Sequence, residues 1–230
     1  MTEVVFIHGI LGKPDFFDFL RPYIPADGFH SVDILLEGHC ATPQDFARAS
    51  MARWRGQVDA TVQRLRADGR RIVIAAHSMG TLFAIDSAVR GMADALFLLN
   101  PPLGLRPSLR MAATSLKVFM GKTDDPLAAA AKAAYSLSDD RNPLHYIGWI
   151  PRYLELFAEI RRTRAIVARL AVPTLAFLSA RDEIVSPSSG RRFPLRPDIT
   201  VATLPNSGHY YYPEPDRSRL TDAFRRILEA

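Results

Sequence analysis

The stretch IAAHSMGTLF, Ile74–Phe83, decides the fold. It passes from an unbroken apolar run, through one serine, into a segment with helical character. Apolar runs that do not alternate with polar residues read as strands covered on both faces, the pattern of a parallel sheet. RIVIAAH at Arg71–His77 is such a run, and Met79–Arg90 directly behind it reads as a helix. Ser78 therefore stands where a buried strand turns into a helix, with Ala76 two residues before it and Gly80 two residues after. A sharp strand–turn–helix needs small residues at these positions, because the turn brings neighbouring backbone close while lifting the hydroxyl clear of the sheet. The helix behind it aims its N-terminal N–H groups at the same spot. Simple capping of the helix is the alternative use of the hydroxyl.

Working outward, the same pattern recurs. Strands are predicted at Val4–Gly9, Val32–Gly38, Arg71–His77, Ala95–Asn100, Pro173–Ala180 and Ile199–Pro205. Phe46, Trp54, Val58, Val62 and Leu65 fall at helical spacing, so Asp45–Arg66 is predicted as one helix with a single apolar stripe. The last helix is predicted at Asp216–Glu229, with Leu220, Phe224 and Ile227 on one side. Strand–helix alternation of this kind gives a doubly wound α/β sheet with right-handed crossovers. Residues 101–171 break the rhythm, being far longer than one crossover requires. Helical stretches are predicted there at Leu109–Met120, Pro126–Tyr135 and Pro151–Leu170. The interval reads as a helical cap between the fourth and fifth strands, over a core of residues 1–100 and 172–230. A separate domain is the weaker alternative, because the segment is short and rich in small residues.

A serine hydroxyl needs a base to act as a nucleophile. Of the six histidines, His77 adjoins Ser78 and should point away from it on a tight turn. His30 precedes a strand and reads as exposed, and His145 lies in the proposed cap. His209, in LPNSGHYYYPEP, follows the sixth strand on the carboxyl edge of the sheet, where open α/β sheets bind ligands. SARDEIVSP after the fifth strand presents Asp182 on that same edge, with Glu183 as the second choice of acid. An acid after the fourth strand is disfavoured, since Asn100 and Pro101 stand there. Acyl transfer also needs donors for a developing oxyanion. HGILG at His8–Gly12 lets the backbone turn and offer the Ile10 N–H, and the Met79 N–H is the second donor. His8 reads as a brace for this loop rather than a proton carrier, and Tyr210, Tyr211 and Tyr212 as packing and hydrogen-bonding residues.

At HGILG, AHSMG (Ala76–Gly80), SARDEIV (Ser179–Val185) and NSGHY (Asn206–Tyr210) the chain resembles the α/β-hydrolase superfamily, in its order and spacing. LEGHCATPQDF at Leu36–Phe46 is similar to the carboxylesterase and monoacylglycerol-lipase branch, with Cys40 where that branch has a second glycine. His39 then reads as structural and Cys40 as a small half-buried residue. Most relatives carry two strands before the one bearing HGILG, so the resemblance implies a reduced, mainly parallel six-stranded sheet with helices on both faces. It also implies a Ser78–His209–Asp182 triad, an oxyanion hole at Ile10 and Met79, and no metal or organic cofactor. The implied substrate is a small-molecule acyl ester or thioester. Lactones, amides and carbon–carbon bonds remain open to the same triad, as does a non-catalytic binding role on the same scaffold. A dehalogenase is disfavoured, because it needs a carboxylate where Ser78 stands.

Composition bounds the rest. The 230 residues are 48% hydrophobic and 23% charged, an ordinary globular balance with room for one domain and an insertion. One cysteine excludes an intrachain disulfide, and neither a secretory leader nor a membrane span is legible, so a cytoplasmic protein is expected. The net charge of +5 comes mainly from arginines in Arg48–Arg71 and Arg152–Arg169. These read as solvated basic helix faces, or as a surface for an acidic partner such as an acyl carrier protein; no nucleic-acid motif is present. Leu116, Phe119, Leu144, Ile147, Trp149 and Ile150 in the cap read either as an acyl pocket or as packing onto the body.

Overall fold

The computed structural model describes residues 1–105, 126–136 and 142–229. Its strands are β1 (Thr2–Ile7), β2 (Phe29–Ile34), β3 (Arg71–His77), β4 (Ala95–Leu99), β5 (Thr174–Ser179) and β6 (Ile199–Leu204). They form one six-stranded sheet in the order β2-β1-β3-β4-β5-β6, and every pair is parallel. The helices are α1 (Pro43–Arg48), α2 (Met51–Ala67), α3 (Met79–Val89), α4 (Pro126–Ala134), α5 (Ile150–Ile166) and α6 (Asp216–Glu229). One face of the sheet packs on α2, α3 and α5 through Trp54, Val58, Leu82, Phe83 and Ile160. The other packs on α6 and the short helical turns after β1, through Phe17, Leu20, Phe224 and Ile227. The central strands are therefore apolar throughout, as a sheet covered on both faces demands. The edge strands β2 and β6 bury far less.

Three expectations shift. The second strand lies at Phe29–Ile34 rather than Val32–Gly38, in register with β1, and Leu35–Gly38 is the turn beyond it. His30 is thus inside that strand, close to Glu3, rather than before it. The apolar run through Leu36 misled because Leu36 is buried from a turn, not from a strand.

The helix expected at Asp45–Arg66 is two helices. Thr42 and Asp45 form a capping box for α1, with Pro43 in its first turn. Ala49 and Ser50 are extended, and Ser50 caps α2 by accepting from the Arg53 N–H. The backbone groups freed by this break are taken up from α5. Arg152 donates to the Ala47 carbonyl at 2.7 Å and also to that of Ala49, while Glu155 accepts the Met51 N–H at 2.8 Å. The apolar stripe runs through both pieces, so periodicity alone reads them as one.

Within the interval between β4 and β5, α4 and α5 agree with the expected Pro126–Tyr135 and Pro151–Leu170, the latter ending in a short 3-10 turn at Val167–Arg169. Leu109–Met120 lies outside the described residues, as do Leu116 and Phe119.

The arginine-rich stretches face each other across buried acids. Glu159, almost wholly buried, pairs with Arg55 and with Arg162 at 2.7 Å. Arg162 also reaches Asp86 at 2.7 Å, and Arg90 reaches Asp86 and Asp59. Glu159 first, then Asp86, raise the Arg162 pKa above its ordinary value. Arg55 of α2 and Arg162 of α5 thus help dock α5 on α2 and α3. Removing one member of such a buried set leaves the others uncompensated. Glu159→Gln is expected to lower stability by about 2 kcal/mol, read by urea unfolding.

Candidate active site

β3 ends at His77, and Ser78 takes φ 49° and ψ −122° before α3 begins. A positive φ at a non-glycine residue costs of order 1 kcal/mol or more and persists only where the surroundings enforce it. Here the Ser78 N–H donates to the Leu99 carbonyl at 2.9 Å, and the Ser78 carbonyl accepts from the Thr81 N–H and hydroxyl. The Ser78 side chain makes no capping bond, so the hydroxyl is left for other use. Gly80 is required by contact. A Cβ there would strike the Ile7 carbonyl and come within 2.7 Å of the His8 carbonyl oxygen.

Ser78 Oγ lies 3.1 Å from His209 Nε2, and His209 Nδ1 lies 2.7 Å from Asp182 Oδ2. The Nδ1–H donates to the carboxylate, which leaves Nε2 as the acceptor for the serine O–H. The other oxygen of Asp182 accepts the Ile184 and Val185 N–H groups, each at 2.7 Å, which fixes the carboxylate. All three side chains are buried. Burial works against a charged His209, but Asp182, and then Glu183, outweigh it and raise its pKa above the ordinary value. Glu183, the second choice of acid, does not meet the imidazole in this way. It accepts the His209 backbone N–H at 3.4 Å, and burial raises its own pKa.

The backbone of the His209 loop is held by groups that sequence reading did not single out. Asn100, at φ 51°, donates through Nδ2 to the His209 carbonyl and the Tyr212 hydroxyl, and accepts the Ser179 N–H at 2.8 Å. One side chain thereby ties the ends of β4 and β5 to this loop. His77 donates from Nε2 to the same His209 carbonyl at 3.0 Å, and burial first of all lowers its pKa well below normal. It does not serve Ser78. An amide directly after the apolar run of the fourth strand is the sequence signal for Asn100.

On the opposite side, β1 leads into the turn Gly9–Gly12, closed by the Gly12 N–H on the Gly9 carbonyl at 3.0 Å, with Leu11 at φ 60°. His8 donates from Nδ1 to that carbonyl at 2.9 Å and accepts the Leu36 N–H at Nε2. Burial pushes its pKa down to about 4, so it is a neutral brace at ordinary pH. A trans peptide sets N–H and C=O antiparallel, so anchoring the Gly9 oxygen directs the Ile10 N–H the other way. The Ile10 N–H has no protein acceptor among the described residues, and the Met79 N–H, first in α3, has none within its helix. Cys40, expected half-buried, is exposed.

Between these two sides lies a cavity of about 360 Å³. The sheet edge contributes Ile10, Leu11, Ser78, Met79, Pro102, Leu105, Ile184, His209 and Tyr210. Tyr135, behind α4, and Tyr153, Leu156 and Phe157 of α5 complete the lining. Of the cap residues expected to compete for this role, the four that are described do not line the cavity. Leu144, Ile147 and Ile150 are exposed, while Trp149 packs on Phe46 and donates to the Pro43 carbonyl. Among the described residues there is no cluster of potential metal ligands and no helix long and apolar enough to cross a membrane.

A strand–turn–helix serine on a parallel α/β sheet, with a histidine and a carboxylate from two later strand ends, defines the class of α/β hydrolases. The chain belongs to the alpha/beta hydrolase family, which it matches over residues 4–219. No sequence among the curated proteins matches it. Among solved structures it is similar to that of a metagenome-derived lipolytic enzyme, at 20% identity and TM-score 0.75, covering 100% of this chain and 94% of that one. It is also similar to a monoacylglycerol lipase of Paleococcus ferrophilus, at 17% identity and TM-score 0.67, covering 99% and 94%. A thioesterase domain from the curacin biosynthetic pathway matches at 18% identity and TM-score 0.60, covering 99% and 91%.

Two outcomes are expected. Gly80→Ala should destabilise the protein by about 3 kcal/mol or more, measured by thermal unfolding, since the added methyl meets backbone that cannot yield. In an NMR titration His209 should protonate with a midpoint above 6.5, and Glu183→Gln should lower that midpoint. The imidazole is therefore free to accept a proton only above that raised midpoint, and activity should fall as pH drops through it.

Proposed function

We propose that this protein is a serine hydrolase that cleaves a carboxylic ester or thioester through an acyl-enzyme. The observation that carries the reading is the Ser78–His209–Asp182 chain, at 3.1 and 2.7 Å, at the wall of a largely apolar cavity. Ser78 Oγ bonds to the acyl carbon as its proton passes to His209 Nε2. Asp182 holds the imidazole in the needed tautomer and stabilises its charged form. The Ile10 and Met79 N–H groups receive the oxyanion. His209 returns the proton to the leaving alcohol or thiol, and a water activated by the same imidazole releases the acid and restores Ser78.

The cavity favours an uncharged acyl group. No carboxylate, lysine or arginine lines it among the described residues. Its volume, about 360 Å³, is at the small end for ligand pockets, which favours a short or medium apolar chain. Residues 101–171 are proposed to act as a cap, because Tyr135, Tyr153, Leu156 and Phe157 line the same cavity as Ser78. The named lipolytic and thioesterase neighbours agree with acyl chemistry. An acidic acyl carrier protein is not part of the proposal: in the arginine-rich stretches, Arg55 and Arg162 are paired with Glu159 and Asp86 inside the protein.

The test is hydrolysis of p-nitrophenyl esters from acetate to palmitate, with an acyl-thioester series beside it, by wild type and Ser78→Ala. Wild type should prefer a short or medium chain, and the variant should lose about 10⁴-fold or more in kcat. Equal activity in both, or failure of a fluorophosphonate to label Ser78 in folded protein, would overturn the assignment.

A further inference from the structure

The turn that carries the Ile10 N–H is strained, and something outside it must hold it. Leu11 sits at φ 60° with a γ-branched side chain, a conformation that is costly without external support. Its carbonyl accepts the Ser136 N–H at 2.8 Å. Its N–H donates to His39 Nε2 at 3.2 Å. His39 comes from a different loop, 28 residues away in sequence.

That loop is built to keep His39 still. Gly38 and Cys40 both have positive φ, and a Cβ on Gly38 would come within 2.8 Å of backbone atoms of Asp45 and Phe46. The His39 N–H donates to the Leu36 carbonyl, and its Nδ1 faces the carbonyls of Leu36 and Glu37 at 3.1 and 3.3 Å. Nδ1 therefore carries the proton and Nε2 is the acceptor. Trp54 donates from Nε1 to the Glu37 carbonyl at 2.8 Å, and the His39 ring lies edge-on to Phe46, Trp54 and His8. The ring is buried, and burial, with His8 alongside, brings its pKa down to about 3.

We propose that His39 is a positioning residue for catalysis: by accepting the Leu11 N–H it holds the Ile10–Leu11 peptide and so keeps the Ile10 N–H in place for the oxyanion. The inference rests on the proposed serine-hydrolase function. His8 pins the peptide on one side of Ile10, through the Gly9 oxygen, and His39 pins the peptide on the other. Two fixed planes leave the residue between them little rotational freedom. The alternative is that His39 merely ties together its own turn through Nδ1, with the Leu11 contact incidental.

Two amides separate these roles. In His39→Asn the amide nitrogen takes the place of Nδ1 and keeps the bonds to the turn, but nothing reaches Leu11. In His39→Gln the amide oxygen takes the place of Nε2 and keeps the acceptor for Leu11, but the turn bonds are lost. The expected result is a kcat about 10–100-fold lower in the Asn variant, somewhat less than removing an oxyanion donor outright, with KM within about threefold. The Gln variant should retain kcat within about fivefold. Amide hydrogen exchange at Leu11, measured by NMR, should quicken in the Asn variant alone, and this readout holds whether or not an ester is turned over. Equal losses of kcat in the two variants, or wild-type kcat and a protected Leu11 amide in the Asn variant, would overturn the inference. The rate of fluorophosphonate inactivation separates the two levels of the argument. An unreactive wild type sinks the proposed function. A reactive wild type matched by the Asn variant sinks the role of His39.

Discussion

The structure depends on one close approach, that of Gly80 to the backbone of Ile7 and His8. β1 and β3 are neighbours in the sheet, paired in register from Thr2–Arg71 to Ile7–Ala76. Where β3 turns sharply into α3, the first turn of the helix is pressed against the end of β1. That contact places the end of β1, with its turn at Gly9–Gly12, directly beside Ser78. A side chain at position 80 would part them. The positive φ of Ser78 is the other half of the same constraint, since the chain must reverse within one residue to bring α3 back over the sheet.

Two polar systems then converge on Ser78 from opposite sides, each neutral or charge-balanced in its own way. On the β2 side, His8 and His39 are buried, held in tautomers that accept at Nε2, and deprived of charge by desolvation. A charge on either would cost heavily in this apolar setting and would remove the acceptor that the backbone needs. On the β5 and β6 side, His209 has two carboxylates beside it, and their field reverses the effect of burial. The same residue type is thus driven in opposite directions by what surrounds it. Asn100 and His77 hold the second system at the His209 carbonyl, away from the imidazole itself.

α5 is joined to the body by polar bonds as well as by an apolar face that shares one core with α2 and α3. Arg152 and Glu155 satisfy the broken backbone between α1 and α2, and Glu159 gathers Arg55 and Arg162. The side chains of α5 divide: Ile160 packs inward, Tyr153, Leu156 and Phe157 line the cavity, and Leu154 remains exposed. Bonds that depend on geometry fix where α5 sits, and so where the upper lining of the cavity lies.

Much of this was legible in the chain itself. Unbroken apolar runs at Arg71–His77 and Ala95–Leu99 read as strands covered on both faces, and Ser78 between the small residues Ala76 and Gly80 fitted a sharp turn as well as a helix cap. The order Ser78, Asp182, His209 at strand ends put the three on one edge, because parallel strands all end on the same side. Local signals failed where long-range bonds took over. Ala49 and Ser50 break a helix whose periodicity is intact, because Arg152 and Glu155 supply partners for its freed backbone. Leu36 is buried by a turn and not a strand, and Leu144, Ile147 and Ile150 face outward although they are apolar. The meeting of His39 with Leu11 has no trace in spacing. Sequence by itself determined which apolar runs form the central strands, where the chain turns at Ser78 and which side chains can carry chemistry, since these follow from local sterics and solvation. Only the tertiary structure decided which of those groups meet, because a hydrogen bond across 28 residues or more depends on where the intervening chain has packed.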